Sequence, residues 1–130
     1  MALMKFREPN QVKWQGSRPA HDGTEIHKHT YATAATQIVY TVPAGKYFHL
    51  CTAVLNMMMP VASTGRIEVW TAVPAVEYYI MATNIQANTN LLPHVATFWP
   101  PLELDPGWSI RITVAGVGSG GYAMIFGWVE

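Results

Sequence analysis

The stretch Trp108-Ser-Ile-Arg-Ile-Thr-Val114 alternates one residue at a time. Trp108, Ile110, Ile112 and Val114 fall on one side of an extended chain, and Ser109, Arg111 and Thr113 on the other. This period of two is that of a half-buried β-strand. Arg66-Ile-Glu-Val-Trp-Thr71 repeats the pattern, with Ile67, Val69 and Thr71 against Arg66, Glu68 and Trp70. Working outward, Asp105-Pro106-Gly107 is a turn that delivers the first strand. Pro43-Ala44-Gly45-Lys46 is another, between strands expected over 37–42 and 47–56. In both, proline fixes φ and glycine accepts φ > 0. Further strands are expected over 77–82, 94–99 and 122–129, with a glycine-rich hairpin at 116–121 and loops at 57–65 and 86–90. Pro100-Pro101 marks an edge or a bend, because proline cannot donate to a ladder. No stretch carries a helical period. Strands recurring every roughly 8–14 residues predict an all-β, antiparallel sandwich of jelly-roll type.

The chain has 130 residues, enough for one domain, and half are hydrophobic. No apolar run is long enough for a transmembrane helix, and no secretory signal is visible at the start. Eight Lys+Arg balance eight Asp+Glu, which argues against a nucleic-acid partner. The single cysteine, Cys51, allows no intrachain disulfide and reads as buried packing.

Charged residues are only 12% of the chain, about half the usual share. Residues 36–130 carry just eight of them. A small domain with so little surface charge and no net charge associates readily. The sequence therefore predicts a homo-oligomer, with a trimer favoured.

Residues 1–35 differ from the rest. They are polar, carry isolated apolar side chains, and are expected to form an extended N-terminal arm that precedes a sandwich over 36–130. Phe6 and Trp14 are the expected anchors of that arm on a partner, since disordered tails are usually poor in aromatics. Met57, Met58 and Met59, ahead of Pro60, form an expected adaptable contact surface at a loop tip. Trp70 faces away from Ile67 and Val69 and is a further candidate for partner contact, or for stacking on a sugar.

Catalytic chemistry finds little support. The serines lie in no nucleophile elbow. Glu103 and Asp105 lead into a turn and read as exposed. His27 and His29, with Glu25 beside them, are weak metal candidates, because a His-x-His pair on a strand projects both imidazoles to one side. The cupin pattern would add a glutamate a few residues later, but the next is Glu68. A cupin-like metal protein is thus an alternative only. No enzyme activity and no cofactor are expected.

The body resembles small β-sandwich structural proteins of tailed bacteriophages. The resemblance rests on Tyr40-Thr-Val-Pro-Ala-Gly-Lys46 leading into an aromatic-rich strand, and on Pro101-Leu-Glu-Leu-Asp-Pro-Gly107 before the alternating one. It ends on Ala123-Met-Ile-Phe-Gly-Trp-Val-Glu130. It implies a virion location and a capsid decoration (cement) protein that clamps neighbouring subunits of a major capsid protein. A tail-fibre or baseplate module recognising glycans is the alternative it also implies.

Overall fold

The structure, a computed structural model, describes residues 14–15, 18–19, 23–58, 63–85 and 93–130. Among these, every regular element is a strand. Two short strands, β1 (Trp14–Gln15) and β2 (Arg18–Pro19), pair only with each other. The other eight are β3 (Thr24–Thr33), β4 (Thr36–Thr41), β5 (Phe48–Met58), β6 (Ser63–Trp70), β7 (Glu77–Ile85), β8 (His94–Leu104), β9 (Ser109–Ala115) and β10 (Gly120–Val129).

They build two four-stranded sheets, ordered β3-β10-β5-β8 and β4-β9-β6-β7, with every neighbouring pair antiparallel. The sheets pack face to face as a β-sandwich. The core lies between them, where Phe48, Leu50 and Leu55 of β5 and Ile125 of β10 meet Ile67 of β6 and Ile110 and Ile112 of β9. Each of these side chains is fully buried, which favours the fold by about 1.5–3 kcal/mol apiece.

The expected turns form where glycine requires them. Lys46 N–H donates to Pro43 C=O at 3.2 Å, with Gly45 at φ 73°. Trp108 N–H donates to Asp105 C=O at 3.2 Å, with Gly107 at φ 83°. Both are type II turns with glycine in the third position.

Two expectations are corrected. The boundary at residue 35 does not hold, because Thr24–Thr33 is the edge strand of the first sheet, paired with β10 over its whole length. Its inward side is only weakly apolar: Ala32 is buried and Ile26 partly so, with Lys28 and Thr30 between them. That is why its alternation was hard to read. The chain then crosses between sheets at Ala34-Ala35, where Ala34 takes φ 44° and Ala35 C=O accepts from Val114 N–H at 3.0 Å.

The loop expected over 57–65 is also shorter, since β5 continues to Met58 and β6 begins at Ser63. Met57 is fully buried rather than an exposed contact. Its thioether fills the space left by two missing side chains, Gly65 of β6 and Gly121 of β10.

Candidate functional site

The outward side of the β3-β10-β5-β8 sheet is built in four rows by the strand register. The first holds Glu25, Trp128, His49 and Glu103. The second holds His27, Phe126, Thr52 and Thr97, and the third His29, Met124, Val54 and Val95. The fourth holds Tyr31, Tyr122 and Asn56. On β10 alone, Tyr122, Met124, Phe126 and Trp128 point outward, while Ala123, Ile125 and Gly127 point into the core. This strand therefore presents large apolar side chains on the side away from its own core.

Much of that surface is open. Tyr31 is 46% exposed, Tyr122 39%, Met124 37% and Val95 54%. The rings organise one another. Tyr31 and Tyr122 lie 4.7 Å apart, and His27 meets Phe126 edge-on at 5.1 Å.

The first row differs from the rest. The imidazole of His49 is buried and stacks on Trp128, with centroids 4.8 Å apart and planes 18° from parallel. Its Nε2 lies 3.0 Å from Glu130 Oε1, and its Nδ1 3.9 Å from Glu103 Oε2. Backbone bonds between Tyr47 and Glu130, at 2.8 and 3.0 Å, hold Glu130 there. Glu103, expected as an exposed turn residue, is buried against this histidine. Carboxylates thus gather at one end of the sheet and hydroxyls at the other.

The outward side of the other sheet sets charged residues between the exposed Ile38 and Tyr79. Glu68 of β6 is only 1% exposed, although it points away from the core. Thr113 Oγ1 donates to its Oε1, and Thr36 and Thr113 share a hydroxyl contact of 2.8 Å. Arg66 Nε lies 3.4 Å from Glu68 and 3.5 Å from Glu77, with its guanidinium over the Tyr79 ring at 4.8 Å. Burial pushes the Glu68 carboxyl up, but hydrogen bonds from Glu77, Thr113 and Arg66 and the charge of Arg66 hold it below the usual range. Glu77 is raised, first because it shares a hydrogen bond with Glu68 and then by burial and by the charge of Glu68. Arg66 thus links Glu68 and Glu77 on this side of the sheet.

The residues singled out from sequence fare differently. His27 and His29 do project together, as the strand period requires, and both are exposed. Among the described residues no group of three or more His, Cys, Asp or Glu side chains is arranged to hold a metal ion. Trp70 is half-buried, and the guanidinium of Arg111 lies over one side of its ring, 4.6 Å from the centroid. Arg111 is itself fixed by donating to Ser109 Oγ at 3.0 Å. Cys51 is half-buried rather than buried. Phe6 and Met59 lie outside the described residues, and Met58 and Trp14 are described only as members of β5 and β1.

The sequence reading missed this apolar surface, though it left a signal. Residues 122–129 are apolar on both alternating sides, the pattern of a strand covered on both faces. Among the described residues no helix is long and apolar enough to cross a membrane. No known protein family and no curated protein matches the chain.

Proposed function

We propose that the protein is a self-associating structural protein of the virion, acting as a capsid decoration (cement) protein of a tailed bacteriophage. The observation that carries the self-association is the outward side of the β3-β10-β5-β8 sheet, which leaves Tyr31, Met124, Tyr122 and Val95 in water on adjoining strands. An isolated domain gains nothing from such a surface. An assembly gains about 25 cal/mol for each Å² of it that is covered.

The virion role rests on the resemblance of the body to phage structural proteins and on the strand order. The pairs β3–β10, β4–β9, β5–β8 and β6–β7 are nested one inside the next, as in a long hairpin wrapped into two sheets. We infer that the sandwich is a jelly roll, an architecture used by viral capsid domains. The chemistry of a decoration protein is mechanical. It needs a rigid sandwich, weak contacts repeated over a lattice, and no reacting group.

Immunogold labelling of particles released from cells that express the chain natively tests the role. Label over the shell is the expected result. Label only at the tail would transfer the protein to the fibre or baseplate class. Particles without label would overturn the virion reading.

A further inference from the structure

We infer that the outward side of the β3-β10-β5-β8 sheet is the docking surface for a second copy of this chain, packed face to face about a two-fold axis with the strands reversed. The inference deepens the self-association reading and rests on it.

The first argument is continuity. Tyr31, Tyr122, Met124 and Val95 are each more than a third exposed, and the half-buried Phe126 and Trp128 extend them along β10 into one apolar patch of the kind that marks interaction sites. His27, His29, Thr97, Glu25 and Glu130 border the patch with exposed polar side chains. The patch is aromatic at its centre, with Met124 among the rings, and polar at its rim, which is the anatomy of protein–protein interfaces.

The second argument is complementarity, and it selects the arrangement. One end of the surface carries Glu25 and Glu130, both exposed. The other carries the hydroxyls of Tyr31 and Tyr122 and the amide of Asn56. Two copies packed with strands in the same direction would bring the carboxylates of both together, which is repulsive. Reversing one copy sets the carboxylates of each against the hydrogen-bond donors of the other. Glu25 then faces the Tyr31 position of the second copy, because both lie on β3. Met124 and Phe126, near the middle of the strand, then lie close to their own equivalents. Sheets stacked this way stay within about 30° of alignment.

A two-fold contact is self-complementary, so it produces pairs. It accommodates the trimer expected from the sequence only in an assembly of six.

Single cysteines introduced on a Cys51→Ala background read the arrangement directly. The reagent is a short bis-maleimide that spans the ~10 Å between stacked sheets. Met124→Cys is expected to cross-link to itself in high yield. Glu25→Cys is expected to stay uncross-linked alone, and to cross-link when mixed with Tyr31→Cys. These three positions are exposed, and circular dichroism of each variant checks that the fold persists. Self-cross-linking of Glu25→Cys would overturn the reversed arrangement, and an inert Met124→Cys would overturn the docking surface. If light scattering still gives more than one copy in either case, self-association stands and only this inference falls. If it gives a single copy, both fall.

Discussion

Glu68 has almost no surface in contact with water, yet it sits on a side of the sheet that points to solvent. Its neighbours explain this. Tyr79 and Glu77 cover it from β7, Thr113 donates to it from β9, and Arg66 leans over it along its own strand. Glu68 and Glu77 titrate as a pair, and the two directions set opposite pH dependences. The lowered Glu68 stabilises the fold above the ordinary carboxylate value, and that contribution is lost as pH falls through its folded value. The raised Glu77 stabilises it below the ordinary value, and that contribution is lost as pH rises through its folded value. The pair therefore favours the fold most between the two values, with one shared proton. Glu77→Gln keeps a donor to Glu68 at every pH. Its melting temperature is expected to exceed that of the parent protein at neutral pH and to match it near about pH 4, where the parent is protonated too. A variant that melts lower than the parent at neutral pH would contradict the pairing. The sequence reading put Glu68 on the polar side of its strand correctly. Its burial was not legible, because the covering side chains come from β7 and β9, brought alongside only by the fold.

At the scale of elements, the alternating strands were the legible part. Ile110, Ile112 and Val114 are buried as the pattern of 108–114 requires, and so are Ile67 and Val69. The edge strand β3 was not legible, since an edge needs only part of its inner side to be apolar and polar residues interrupt it. Met57 was misread because a run of three methionines before proline looks like a loop tip. Its burial depends on two distant glycines that share no local signal with it. Met57→Ala is expected to lose about 2–5 kcal/mol, since it leaves a cavity between Gly65 and Gly121 that the sheets cannot close. Urea denaturation measures this. Gly127 makes the complementary case. A Cβ there would meet the His49 carbonyl oxygen and come within 2.8 Å of the Phe48 ring, where the β10–β5 register shifts. Gly127→Ala is expected to lose about 2 kcal/mol or more, as overpacking against backbone does. An unchanged urea midpoint would show that the strand yields at this position.

For the whole molecule, the low charge read from the sequence and the apolar sheet surface express the same property. Five of the eight charged residues after residue 35 sit in two networks. Arg66, Glu68 and Glu77 bind one another, and Glu103 and Glu130 flank His49. Three remain to keep copies apart, and the proposed docking surface includes the outer row of β10. The low charge of the sequence motivates the proposed association but not its location, because both sides of residues 122–129 are apolar and only the fold decides which side meets the core. The most direct test is the absolute mass of the full chain, by light scattering coupled to size exclusion. The expected mass is a multiple of 14.4 kDa that falls toward a single copy in Met124→Lys, a variant that leaves the core intact. A parent protein that runs as one copy of 14.4 kDa, unchanged by Met124→Lys, would contradict the account.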